Sequence, residues 1–230
     1  SSTPVFKQLE EKLGFFKCYE TGWCKVDPFF TEPTLQNEGK TTILYSPTFS
    51  RGITSVEALY DTIHQIAERR DWEWIITFHP KITDHSIINK YQKLAEKFDN
   101  VSFERNEGLK TFQRADVMLC DSSSIILEFM LLSKPVVTFK NTNPGPHLID
   151  VNECDAVEPA LETALTRPKS LMEAIDTYTL NHEAHRDGNN CSRVLDAVDH
   201  FKSNFEGRIK AKPLNLWRKF RLRNKLKYWK

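Results

Sequence analysis

One stretch, Asp116 to Phe139 (DVMLCDSSSIILEFMLLSKPVVTF), restricts the possible folds of this chain more than any other. Val117 to Cys120 is a short apolar run that stops at Asp121 and three serines. Ile125 to Leu132 is apolar apart from Glu128. Lys134-Pro135 ends that segment, because proline lacks an N–H and restricts the residue before it. Val136 to Phe139 is a second apolar run. The order is strand, polar turn, buried helix, strand, which is one βαβ unit. In such units the turn after the first strand faces the ligand crevice. Ser122, Ser123 and Ser124 are then expected at a helix N-terminus, where N–H groups and the helix dipole attract anions.

The remaining sequence repeats this alternation. Residues 1–20 read as a helix with Phe6, Leu9, Leu13 and Phe16 on its apolar stripe. TGWCKVDP (21–28) is a turn-rich connector and residues 31–40 are a polar loop. Strands are expected at Thr42 to Tyr45, Trp74 to Phe78 and Val101 to Phe103. Helices are expected at 55–70, 85–98, 108–114, 157–165, 168–180 and 189–203, the last carrying Val194, Leu195, Val198 and Phe201. Asn141 to Asp150 reads as a Pro/Gly loop. Buried strands alternating with helices imply an α/β fold: an open, parallel, doubly wound, Rossmann-like sheet. Right-handed crossovers gather the strand C-termini on one edge. Five loops are expected there: Ser46–Gly52, His79-Pro80, Glu104–Gly108, Asp121–Ser124 and Asn141–His147.

Several residues of those loops have chemistry to offer, each beside a plainer role. The serines could cradle a diphosphate or merely cap a helix. Glu128 cannot be a capping-box glutamate, because Ile125 stands three residues before it. An unpaired buried carboxylate is costly. Glu128 therefore faces solvent or accepts hydrogen bonds at a site, and ribose hydroxyls are suitable donors. His79, fixed by Pro80, could be a general base, a cation for phosphate oxygens, or a bonded loop histidine. Arg51 beside Gly52 could clamp phosphate or lie in solvent. The loop DGNNCSR (187–193) offers N–H and hydroxyl donors, yet helix punctuation also explains it. Neither GxGxxG nor GxxxxGK[ST] is present. No acid or histidine cluster has metal-ligand spacing, so no metal is expected.

The five cysteines are odd in number and lack CxxC spacing, which argues against a disulfide framework or zinc and for a reducing, cytoplasmic setting. No signal peptide and no run of ~18 apolar residues is evident. Ser1 in place of Met reads as a fragment or a processed form. The net charge of +1 conceals an asymmetry. Residues 208–230 hold ten Lys or Arg and no acid, leaving 22 basic against 31 acidic residues elsewhere. The expected division is a domain over 1–207 and a basic aromatic tail over 208–230. Aromatics interleaved with cations suit an anionic lipid surface. Nucleic acid is not expected, since no stacking module accompanies the charge. On a helical wheel Leu216, Trp217 and Phe220 lie on one side, and Leu222, Leu226 and Trp229 on another.

Taken in order, ILYSPTFSRG (43–52), HP (79–80), ADVMLCDSSSIILEF (115–129), KPVV (134–137) and DGNNCSRV (187–194) resemble the CDP-glycerol glycerophosphotransferases. TGWCKVD (21–27) resembles the segment that opens their C-terminal half. That family makes teichoic-acid-like and capsule polymers and has the GT-B fold of two Rossmann-like halves. The resemblance implies a C-terminal, donor-binding half, with the N-terminal acceptor half as a missing partner. It implies that Ser122, Ser123 and Ser124 hold phosphates and that Glu128 holds the ribose. It places His79 at the donor phosphate, as catalyst or charge stabiliser. Thr48 and Arg51 would line the same pocket, and Ser192 with Arg193 would approach the diphosphate. The hydroxyl of a glycan or lipid-linked acceptor would attack the β-phosphorus of a CDP-linked donor and CMP would leave, without a cofactor. Members are peripheral to the inner face of the cell membrane, which agrees with the tail. Asn141 to Asp150 lacks the acidic and aromatic pattern expected after KPVV, so the donor stays open. The alternatives are a UDP-sugar glycosyltransferase, a UDP-N-acetylglucosamine 2-epimerase-like enzyme, or a non-catalytic nucleotide-binding or membrane-docking module.

Overall fold

The structure is a computed structural model and describes residues 3–33, 39–104 and 108–229. Two compact units emerge, residues 23–188 and residues 1–22 with 189–230. The expected loops at 31–40 and Glu104–Gly108 fall partly on residues 34–38 and 105–107, which lie outside the described residues.

The first helix of the chain, α1 (Thr3–Leu13), belongs to the smaller unit. The larger unit begins with a 3-10 turn (Cys24–Val26) and the short helix α2 (Pro28–Thr31). Six strands follow: β1 (Thr42–Tyr45), β2 (Glu73–Thr77), β3 (Val101–Glu104), β4 (Val117–Cys120), β5 (Val136–Phe139) and β6 (Ile149–Val151). Between and after them run α3 (Tyr60–Arg69), α4 (His85–Lys97), α5 (Leu109–Arg114), α6 (Ile125–Met130), α7 (Val157–Leu165) and α8 (Lys169–His182). Every strand pair is parallel and the spatial order is β3-β2-β1-β4-β5-β6. The fold is the doubly wound, Rossmann-like sheet that the alternation implies.

Strand side chains alternate between the faces. Ile43, Tyr45, Trp74, Ile76, Val117, Leu119, Val137 and Phe139 enter one core with Ile63 and Ile66 of α3, Leu94 of α4 and Leu161 of α7. Leu44, Ile75, Met118, Cys120 and Val136 enter the other with Phe112 of α5, Phe129 of α6 and Ile175 of α8. Both faces are covered, as a parallel sheet requires. Each large side chain so buried contributes roughly 1.5–3 kcal/mol, so these two layers hold the sheet and leave the edge loops free for other work.

The order reverses between β1 and β4, and ligands of open α/β sheets bind at such a switch point. Asp121 clasps it. Its buried carboxylate accepts from the N–H of Thr48 (2.8 Å), the N–H of Ser55 (2.9 Å) and the hydroxyl of Ser55 (2.9 Å). The Ser55 proton is thereby committed, so the Tyr45 hydroxyl is the donor in its 2.9 Å bond to Ser55. Burial, opposed by these bonds, holds the Asp121 carboxyl above its ordinary value.

Four expectations change, the fourth of them in the tail. The helix of residues 1–20 stops at Leu13, because Gly14 adopts φ +69° and its N–H returns to the Glu10 carbonyl at 2.8 Å. The helix of 55–70 starts only at Tyr60, since the bonds of Ser55 to Asp121 hold its head in turns. The Pro/Gly loop leads into a sixth strand, β6, paired in parallel with β5. Its three residues are only half-buried, too short to show a period.

The smaller unit also contains α9 (Asn190–Asn204) and α10 (Leu216–Lys225). Within it the Tyr19 hydroxyl and His200 Nδ1 are hydrogen-bonded at 2.8 Å, and the Lys17 ammonium lies 4.6 Å from the Phe205 ring centre. The helical-wheel separation of the tail does not hold. Helix α10 ends at Lys225 and the chain reverses through Lys227 (φ +51°). That turn brings Trp229 back to Phe220 (5.4 Å between ring centres), which already stacks on Trp217 (5.8 Å). All three rings are exposed.

Candidate functional site

A cleft of about 810 Å³ opens at the C-terminal edge of the sheet. It is lined by Lys25, Pro28, Phe29 and Glu32, by Phe78 to Pro80 just past β2, by residues 108–112, and by Ser123, Ser124, Ile125 and Glu128. Its apolar wall is Phe29, Phe78, Leu109, Phe112 and Ile125. Phe29, Phe112 and Phe129 meet edge to face at 6.0–6.1 Å, an arrangement aromatic quadrupoles favour.

His79 lies two residues past β2. Its Nδ1 accepts the N–H of Lys81 at 3.1 Å, and its ring lies 4.5 Å from that of Phe49. A neutral imidazole has one donor and one acceptor nitrogen. With Nδ1 accepting, the proton is on Nε2, so neutral His79 presents an N–H donor.

The serines divide into two roles. The Ser122 hydroxyl accepts the N–H of Thr142 at 2.9 Å and fastens the turn to the next loop. That loop is tied further by Asn141 Nδ2 to the Asp121 carbonyl (2.6 Å) and by the Asn141 N–H to the Asp150 carboxylate (2.9 Å). Ser123 and Ser124 border the cleft. Ser123 Oγ accepts only a long 3.5 Å bond from the Ile125 N–H, and Ser124 makes no side-chain cap bond. Capping therefore does not use up their hydroxyls.

Glu128 lies on α6 with its side chain 10% exposed. It is paired: the Lys25 ammonium donates to Oε1 at 2.7 Å. Thr48 is buried beneath the edge, where its backbone serves Asp121, and Arg51 is exposed in the turn before Ile53. Neither borders this cleft. Ser192 and Arg193 lie on α9 in the smaller unit, where Arg193 Nη1 donates to Asn190 Oδ1 at 3.1 Å. Among the described residues no group of three or more His, Cys, Asp or Glu is placed to hold a metal ion. No described helix is long and apolar enough to cross a membrane.

Two residues escape sequence reasoning. Lys25 stands 103 residues from its partner, so spacing could not connect them. The signal was indirect: a buried acid needs a cation or donors, and Lys25 is the cation of the TGWCKVD segment. Asp121 looks like a strand end, and only the topology reveals it as the clasp.

The chain can do several things here with its own groups. It offers an N–H donor at His79, two hydroxyls at Ser123 and Ser124, a carboxylate at Glu128 and cations at Lys25 and Lys110, against an apolar wall. That set suits an amphiphilic anion carrying hydroxyls.

Known proteins share this architecture. MnaA from S. aureus, in a structure with UDP, matches with a TM-score of 0.56 and 18% identity, over 84% of this chain and 56% of that one. The UDP-GlcNAc 2-epimerase of Methanocaldococcus jannaschii, in complex with UDP-GlcNAc and UDP, matches with a TM-score of 0.58 and 17% identity, over 87% and 60%. At such identities the likeness is one of fold: a GT-B half, in a chain spanning little more than half of those structures. No curated protein matches the chain. Residues 17–143, more than half of the sequence and all of the segment from Lys25 to Glu128, match the family described as CDP-Glycerol:Poly(glycerophosphate) glycerophosphotransferase, and the chain belongs to that family.

Proposed function

We propose that the cleft binds the nucleoside diphosphate of an activated polyol donor, with CDP-glycerol or a similar CDP-linked polyol as the first choice. The observation that carries this reading is the convergence of His79, Ser123, Ser124 and Glu128 on one cleft in a member of this transferase family. Glu128 accepts from the ribose hydroxyls, Ser123 and Ser124 donate to phosphate oxygens, and the apolar wall takes the base. An acceptor hydroxyl attacks the β-phosphorus. The new P–O bond forms as the bond to the bridging oxygen breaks, and CMP leaves with that oxygen. The acceptor proton passes to water or to the leaving phosphate. His79 acts by charge stabilisation: Nε2–H donates to a phosphate oxygen as negative charge grows there. Thr48, with Asp121, shapes the edge rather than touching the donor. Arg51, exposed in the loop after β1, turns toward the diphosphate when the donor is bound.

The acceptor is a glycan or lipid-linked hydroxyl, and the basic tail 208–230 holds the enzyme at an anionic membrane surface, the inner face of the cell membrane. Ten Lys or Arg in the sequence of this segment, together with the exposed rings of Trp217, Phe220 and Trp229, support this. Each basic residue near such a surface contributes about 1 kcal/mol.

Calorimetric titration with CDP, UDP, ADP and GDP tests the donor. We expect CDP to bind best. A clear preference for UDP would replace the CDP reading by a UDP-sugar one, and no binding of any of the four would leave a non-catalytic module.

A further inference from the structure

We propose that Lys25 is a donor-binding residue that changes partner: it pairs with Glu128, and it turns to the phosphate oxygens when a nucleotide's hydroxyls take over that carboxylate. The proposal rests on the reading of the cleft as a nucleoside diphosphate site and adds to it a residue and a charge rule.

The pair is asymmetric. The Glu128 side chain is 10% exposed and fixed on α6, whereas that of Lys25 is 62% exposed. The backbone beneath Lys25 is held on several sides. Val26 is fully buried, and its N–H bonds to the Trp23 carbonyl at 3.0 Å. The Asp27 N–H bonds to the Cys24 carbonyl at 3.2 Å, and the Trp23 N–H bonds to the buried Glu183 carboxylate at 2.8 Å. Gly188 packs so closely on α2 that a Cβ there would stand 2.2 Å from Thr31 Cγ2. Lys25 is thus a long cation on a firm base, mostly in solvent, at the rim of the cleft that holds Ser123, Ser124 and His79. Trp23 offers its ring face 5.6 Å from the ammonium, a second resting place along the swing.

Charge supplies the reason for the exchange. A carboxylate within several ångströms of a bound diphosphate repels it, and at the effective dielectric of a protein rim this amounts to about tenfold or more in affinity. Glu128 is useful to hydroxyls but harmful to phosphates unless a cation moves with the ligand. An ammonium has three donors and no fixed fork geometry, so it can leave one oxyanion for another without rebuilding the site. A nucleoside without phosphates would compete with Lys25 for Glu128 and give the lysine nothing in return. A nucleoside diphosphate gives it a new partner. The two residues together therefore favour ligands that carry hydroxyls and phosphates at once.

The test is calorimetry on the 230-residue chain with CDP and UDP, each beside its nucleoside, together with thermal melts. For Lys25→Gln we expect about tenfold weaker diphosphate binding, nucleoside binding that is unchanged or slightly tighter, and an unchanged Tm. Lys25→Arg should recover most of the diphosphate affinity. In Lys25→Gln/Glu128→Gln the losses should be less than additive, because the repelling carboxylate has gone. Equal losses for diphosphate and nucleoside, or a lowered Tm with affinity unchanged, would show Lys25 to be structural and overturn the proposal. Wild-type binding of CDP or UDP that Lys25→Gln leaves untouched overturns it alone. Failure of the wild type to bind either diphosphate overturns the nucleotide reading and this proposal with it.

Discussion

At the scale of single residues, Glu128 turns on a difference between two energies. Its ion pair with Lys25 is open to solvent on the lysine side, and such pairs contribute about 0–1 kcal/mol. Hydroxyl bonds to a charged, largely buried carboxylate are worth about 1.5–3 kcal/mol each. Binding should therefore be far more sensitive to this residue than folding. We expect Glu128→Ala to weaken nucleotide binding by at least tenfold while lowering stability by about 1 kcal/mol or less. Calorimetry and a melting curve on the same sample check this, and a large drop in Tm at unchanged affinity would make Glu128 structural. The sequence left His79 as base or charge stabiliser, and one 3.1 Å bond from the Lys81 N–H fixes which nitrogen carries the proton.

Among elements, α5 matters more than its six residues suggest, because residues 108–112 form a wall of the cleft. Lys134 caps its C-terminal end. Its ammonium donates to the carbonyls of Phe112 (2.9 Å), Gln113 (2.7 Å) and Ala115 (2.6 Å). Lys134→Met leaves these acceptors without that donor, and we expect a loss of about 1–3 kcal/mol with weaker nucleotide binding. Burial pushes the Lys134 ammonium down to about 8. A depressed folded value means that the unfolded chain binds more protons between about 8 and the ordinary 10.5. Stability supplied by the wild-type residue therefore rises with pH across that window, by less than the roughly 1.4 kcal/mol per unit of a fully buried group. Melts of wild type and Lys134→Met from pH 7 to 10 should show their difference in Tm widening as pH rises. Elements of this kind were largely readable in advance. β1, β4 and β5 lie where apolar runs and breakers put them, because each spans a full buried run between polar stops, and α7 lies where its buried Val157, Ala160, Leu161 and Ala164 recur at helical spacing. The ends of α1 and α3 were not, since Gly14 and the bonds of Ser55 override the periodicity. Edge strand β6 is too short for a pattern.

For the whole molecule, the chain carries an acidic sheet unit and a basic aromatic end, and the two ask for different tests. We expect deletion of 208–230 to abolish binding to vesicles containing anionic lipid and to leave nucleotide affinity within about twofold. Co-sedimentation with such vesicles checks the first and calorimetry the second, and undiminished vesicle binding by the shortened chain would refute a membrane role for the tail. The aromatic cluster of that tail was not legible beforehand, because a helical wheel assumes that the helix continues past Lys225. The candidate site was legible as a set of strand-end loops, since topology alone gathers them. The pairing of Lys25 with Glu128 was not, because contact between distant residues is a property of the finished fold. The Asp121 clasp has a consequence in time as well as in space. Its bonds to Thr48 and Ser55 join residues 73 and 66 apart in sequence. Closing a loop of that size costs entropy before any contact repays it. The ligand-facing edge is therefore expected to take shape late in folding, after β4 has docked beside β1, so that any nascent chain too short to reach Asp121 holds at most β1 to β4 and not yet the mouth of the site.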